Sequence, residues 1–140
     1  MDADEFKQRT KRFALDAVVL VGELPGGKVS DVLGRQLLRS ATSVGANYRA
    51  AARAQSPAQM LAKLSIVEEE ADESLYWLEL LVETRLVSVE RAQPLRREAS
   101  QLVAMTVASK KTLRARSIGP AKRQSTIDNR QSIRDSGLAP

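Results

Sequence analysis

The stretch from Gln36 to Ala52, QLLRSATSVGANYRAAA, limits what this chain can fold into more than any other. From Ser40 onward its side chains are almost all small, with Asn47 and Tyr48 among them. Leu33, Leu37, Ser40, Val44, Asn47 and Ala51 recur every three or four residues, so they share one helical face. Small side chains let two helix backbones approach closely. Gly45 inside such a helix costs roughly 1 kcal/mol against Ala, which close packing has to offset. Asn47 on the same face needs hydrogen-bond partners if it is buried. The stretch is therefore expected to be a packing device and not a catalytic site. Ser43 and Asn47 should face the third helix, with Asn47 bonded to backbone or to a third-helix side chain, and Gly45 is a helix-packing position with them.

The rest of the chain reads as three more helices. The first spans about Asp4 to Glu23, with Phe6, Phe13, Ala17, Leu20, Val21 and Leu24 as its buried stripe, and Pro25-Gly26-Gly27 breaks it. Ser30, followed by Asp31, is a good N-cap for the second helix, which runs to about Ala54. Ser56-Pro57 caps and opens a third helix reaching about Arg85. For the fourth, either Ser88 is the cap and Pro94 sits inside the helix, or the main helix begins at Pro94; both readings end near Arg116. No segment alternates with period two and no Asn-Gly hairpin occurs. The expected fold is all-α, an antiparallel up-down-up-down four-helix bundle over residues 1–116. Residues 117–140 are polar, with isolated isoleucines, and are expected to be a disordered tail.

The third helix has two distinct sides. With Ala71 at the centre of the bundle side, Leu64, Val67, Leu75, Leu78 and Val82 fall near it at ~100° per residue. The opposite side carries Ile66, Tyr76, Trp77 and Leu80 mixed with Glu69 and Glu73. Apolar groups on an outer face usually mark contacts, so these six residues are expected to form a subunit interface. The alternative is a different rotation with Trp77 in the core. Residues 57–85 carry a net charge of −5 and residues 30–54 one of +3. An antiparallel hairpin about Gln55-Ser56 then places Arg39 near Asp72 and Glu73, and Ser43 near Glu68 and Glu69.

Composition excludes much chemistry. The 140 residues contain no cysteine and no histidine, which removes disulfides, thiolate metal sites, imidazole bases and Ser-His or Cys-His nucleophiles. The run EEEADE from Glu68 to Glu73 is the one acidic cluster. Di-iron bundles need Glu-x-x-His pairs and acids from several helices, so ion pairing is the expected role here. No metal, cofactor or enzymatic activity is expected. The acidic N-terminus and the lack of a long apolar run point to a cytoplasmic protein without a membrane role.

Several motifs resemble a known family. Leu24-Pro25, the run Gln36-Leu37-Leu38-Arg39-Ser40-Ala41-Thr42-Ser43-Val44-Gly45-Ala46-Asn47, and Leu64-Ser65-Ile66 through Glu73 with the Leu-rich Leu75 to Leu81 are similar to the four-helix-bundle proteins also called 23S rRNA-intervening-sequence proteins. The resemblance covers roughly Phe6 to Leu113. It departs at Ala50, where many members carry Glu, and at Glu69 and Glu70, where many have small residues. It implies a small up-down bundle, a homo-oligomer with a pentamer favoured, and kinship with accessory proteins of diversity-generating retroelements, which bind nucleic acid and a reverse transcriptase.

The charge is +5 and the pI about 9.9. Basic residues cluster in the first helix (Lys7, Arg9, Lys11, Arg12) and in the fourth (Lys110, Lys111, Arg114, Arg116). In an antiparallel bundle the start of the first helix and the end of the fourth lie at one end. Lys7, Lys11, Arg12, Lys110, Lys111, Arg114 and Arg116 are therefore the expected contacts to RNA or DNA phosphates, without base reading. The expected function is a non-enzymatic, homo-oligomeric adaptor that binds nucleic acid there; the alternative is a pure protein-interaction scaffold.

Overall fold

A computed structural model describes residues 2–117. Apart from Ser117, the expected tail lies outside the described residues. The chain forms α1 (Ala3–Gly22), α2 (Lys28–Ala52), α3 (Pro57–Glu83) and α4 (Val89–Ser117), with no strand among the described residues. Short connections make sequential helices antiparallel neighbours, giving the up-down-up-down bundle. Phe6 of α1 stacks on Tyr48 of α2 at 4.1 Å between ring centroids. Arg39 of α2 pairs with Glu73 of α3, and Glu68 of α3 with Lys110 of α4.

Local chemistry explains the helix ends. Asp2 accepts the Glu5 N–H at 2.8 Å and starts α1 one turn before its first buried residue. Ser56 accepts from the Gln59 N–H, and Gln59 Oε1 in turn accepts from the Gln55 N–H, so α3 starts at Pro57 as the sequence indicates. α2 departs from expectation. Its cap is Gly27 at φ 134°, a conformation open to glycine, and the helix begins at Lys28. Ser30 lies inside the first turn, buried, and its Oγ has no partner among the described residues. For α4 the first alternative holds. Ser88 Oγ accepts the Arg91 N–H, and Pro94 sits within a continuous helix, exposed on its outer side. Arg85, at φ 64°, turns the chain out of α3, while the Leu86 and Val87 N–H groups donate to the Leu81 carbonyl.

The core is one cluster drawn from all four helices, with Phe13, Leu20, Leu37, Leu64, Leu78, Leu81 and Leu102 essentially inaccessible. On α1 the buried stripe is Phe6, Thr10, Phe13, Ala17 and Leu20; Val21 and Leu24 are only partly buried. On α3 the buried residues are Leu64, Val67, Ala71, Ser74, Leu78 and Leu81. Leu75 and Val82 are partly buried, so the helix is turned toward α2 relative to the sequence reading. The cause lies in that seam. Ser74 Oγ donates to Ser40 Oγ at 2.8 Å and also lies 2.9 Å from the Glu70 carbonyl. Two small side chains let the backbones approach, and the hydroxyls satisfy each other where water is excluded.

Candidate functional site

The bundle gathers basic side chains from four separate segments at one end. The start of α1 brings Lys7, Arg9, Lys11 and Arg12, and the end of α4 brings Lys110, Lys111, Arg114 and Arg116. The end of α2 adds Arg49 and Arg53, and the start of α3 adds Lys63. These eleven cations share the end with six acids: Asp2, Asp4 and Glu5, and Glu98, Asp16 and Glu68, which stand against Arg9, Arg12 and Lys110. The opposite end, residues 19–35 with 79–97, is nearly balanced, with six cations against five acids. Arg49, Arg53 and Lys63 were missed in the sequence. The same antiparallel reasoning, applied at the α2–α3 turn, finds them.

Not every cation there faces solvent. Lys110 is the clearest correction. Its Nζ lies 3.2 Å from Glu68 Oε1 and its side chain is 14% exposed, so it ties α4 to α3 and is not presented to a ligand. Arg9 forms a fork with Glu98 and lies 2.6 Å from Gln101 Oε1, joining α1 to α4. Lys11, Arg12, Lys111, Arg114 and Arg116 are exposed, and Lys7 is half-buried. Arg12 stands 3.6 Å from Asp16 at a fully wet site, an interaction worth little. Between the start of α1 and the end of α4 lies a recess of about 480 Å³, lined by Phe6, Met60, Met105, Leu113 and Arg116 among others.

The six residues expected at a subunit interface divide. Tyr76 is 52% exposed and Glu69 is exposed. Ile66 and Leu80 are half-buried, and Trp77 packs against the core cluster while its Nε1 donates to Glu73 Oε1 at 3.2 Å. Trp77 therefore lies on the shoulder of α3 toward α2, not on its outermost line. Tyr76 meets it edge-on at 5.1 Å. A second apolar surface was not foreseen. Leu15, Val18 and Val19 of α1 and Val29 and Val32 of α2 are each about half exposed. The spacing 15-18-19 was a legible signal, since it forms its own stripe on the side of α1 opposite Phe13 and Ala17.

In the α2 packing set, Asn47 Nδ2 donates to the carbonyl and the Oγ of Ser43, both at 2.9 Å, so of the two expected partners it takes the backbone, and that of its own helix. Gly45 faces α1. A Cβ there would sit 3.5 Å from Thr10, an ordinary contact. The tight glycine is Gly34, where a Cβ would come within 3.0 Å of Leu24 and 3.1 Å of Val21.

Glu70 and Glu73 are turned to Arg39, which lies 3.3 Å from one and 2.5 Å from the other. The hairpin register is thus as expected, but Glu70 takes the place expected of Asp72. The Arg39 hydrogen bond holds the Glu73 carboxyl below the usual carboxylate range, helped by the Trp77 N–H. Burial pushes Glu70 the other way, upward, despite its contact with Arg39. Burial also raises the Tyr48 phenol, with Asp2 and Asp4 nearby. Among the described residues no acidic group converges on a metal-sized site, and no helix is long and apolar enough to cross a membrane.

Comparison with known proteins agrees with this architecture. No curated protein matches the chain. A solved protein of unknown function from the S23 ribosomal protein family of Bacteroides thetaiotaomicron is 34% identical and superposes with a TM-score of 0.74, over 79% of this chain and 99% of that one. The model of the 23S rRNA-intervening sequence protein family matches residues 4–108. With that span and those four helices, the chain belongs to the 23S rRNA-intervening sequence protein family.

Proposed function

We propose that the protein is a non-enzymatic, homo-oligomeric adaptor that binds RNA or DNA phosphates through the basic end of its bundle. The observation that carries this reading is the asymmetry between the ends, with eleven cations against six acids at one and near balance at the other. Lys11, Arg12, Lys111 and Arg116 are exposed, and the fields of cations gathered toward one end of the bundle add. No base-reading element accompanies them, so binding tolerates sequence and depends on salt. Assembly into a ring, with a pentamer favoured, would repeat that surface and raise its avidity. Tyr76 and Glu69 on the outer line of α3, beside Ile66, Glu73, Trp77 and Leu80, support a subunit contact there.

Fluorescence anisotropy with labelled RNA and DNA across a salt series tests the reading. The parent should bind at low salt. Lys11→Glu, Lys111→Glu and Arg116→Glu combined should lower the slope of log affinity against log salt by about two to three, with the fold intact by circular dichroism. A parent that binds neither polymer at low salt overturns it and leaves the scaffold reading, which the exposed Leu15, Val18 and Val19 independently favour.

A further inference from the structure

We infer that the recess between α1 and α4 takes an unpaired base of a single-stranded RNA or DNA, so that the basic end grips phosphates around a base set between its helices. This rests on the phosphate-binding reading and specifies the form of the polymer. The recess has a volume of about 480 Å³, within the roughly 300–1,000 Å³ usual for small-molecule sites, so a planar base enters whole. Its apolar lining is Phe6 at the start of α1, Met60 in the first turn of α3, and Met105 and Leu113 of α4. Met60, Met105 and Leu113 are only partly buried, although they pack against the core. An apolar lining left open in this way is stabilised by whatever covers it. Methionine suits the task, because its unbranched thioether adapts to rings of different shape.

Two polar side chains at the recess are unengaged. Ser109 and Arg116 line it, and neither side chain bonds to another described residue. The Ser109 hydroxyl can donate or accept, so it meets the edge of any base, and the Arg116 guanidinium suits a phosphate. Lys63 and Lys111, both exposed, stand within a turn of Met60 and Thr112 in sequence and add to the field there. Charge decides between occupants. An apolar side chain of a protein partner would fill the lining but bring nothing to the cations. Each nucleotide brings both parts, an apolar ring face and an anion. A duplex withholds the first, since its bases are paired and stacked inside. A single strand can turn one base into the recess without the cost of unpairing it. Every base has such a face, so the contact reads no sequence, in keeping with the lack of a base-reading element.

Fluorescence anisotropy on the full chain tests this with two labelled strands of equal length at one low salt concentration. One is oligothymidylate and the other is an abasic strand, which keeps the phosphates and lacks only the bases. The parent should bind oligothymidylate about tenfold more tightly. Ala108→Leu with Thr112→Leu fills the recess from two exposed positions and removes no cation. Circular dichroism must show parental helicity, and Ala108→Leu alone is the milder filling. The filled variant should bind both strands with the affinity the parent has for the abasic one, at the parental salt slope. Lys111→Gln should weaken both strands alike and keep the tenfold ratio. A ratio near one in the parent overturns the inference while the phosphate reading stands, and leaves the recess to an apolar side chain of a protein partner. A filled variant that keeps the tenfold ratio also overturns it, because the base then sits elsewhere. A parent that binds neither strand overturns the phosphate reading and the inference with it.

Discussion

The α2–α3 seam and the α1–α4 seam are built on different principles. In the first, Ser40 and Ser74 bring the backbones together and their hydroxyls bond at 2.8 Å, while Arg39 spans Glu70 and Glu73 above them. The second is held by Arg9 with Glu98 and Gln101 and at the far end by Arg91 with Glu23, and it opens into a recess at the basic end. A seam of small residues excludes water and tolerates little change. A seam bridged by long charged side chains spans a wider gap and stays partly wet. The contrast suits the positions: α2 and α3 are joined by a tight turn, whereas α1 and α4 are far apart in the chain and free to part.

Four measurements break or sharpen this contrast. The largest effect should come from Ser40→Leu, which inserts bulk into the close approach; urea unfolding should show a loss of about 1–3 kcal/mol. Thr112→Leu, lining the open recess, should stay within about 0.5 kcal/mol of the parent in the same assay, since that side chain is exposed. Equal costs at the two sites would erase the distinction between seams.

Arg9→Ala should cost about 1 kcal/mol, because it leaves the partly buried Glu98 without its fork. Its amide exchange should quicken in α1 before α2 or α3, as the looser seam opens first. Uniform quickening along the chain would mean that the two seams open together.

Gly45→Ala should stabilise the fold by up to about 1 kcal/mol through helix propensity, since the added methyl meets only ordinary contact with Thr10. A destabilisation would restore Gly45 as a close-packing element.

The smallest effect is pH-dependent. The folded-state value of Glu73 is depressed, so its contribution is present above the ordinary carboxylate range and is lost as pH falls through that depressed value. Glu70 is raised, so it favours the fold when protonated and loses that contribution as pH rises through its raised value. Glu73→Gln should therefore cost up to about 1 kcal/mol at pH 7, with the difference from the parent vanishing in acid. Glu70→Gln should be neutral or stabilising at pH 7. The reverse order in thermal melts would assign the Arg39 pairing to Glu70.

Much of this architecture is legible in the residues. Breakers at Pro25-Gly26-Gly27 and Ser56-Pro57 divide the helices, and the α2–α3 turn sets a register that brings Arg39 to Glu73. The basic end follows from antiparallel topology alone, including Arg49, Arg53 and Lys63 once all four helices are counted. The site was less legible. Charge in a sequence says nothing of who neutralises it, and Lys110 counts as a phosphate contact until Glu68 is seen beside it.

By itself the sequence determined that the chain is helical, where its turns fall, which helices are antiparallel and which carry opposite charge, because breakers, caps and period depend on neighbours along the chain. Only the tertiary structure decided how far each helix turns about its axis. A step of ~100° leaves Leu75 or Ser74, and Val82 or Leu81, equally fit for burial by pattern. The Ser40–Ser74 approach settles the choice in favour of the small residue and Leu81. The same rotation sets Trp77 on the shoulder of the core and Tyr76 outside it, and leaves Glu70 and not Asp72 within reach of Arg39. These outcomes depend on the shape and spacing of a neighbouring helix, which no residue along its own strand of sequence encodes.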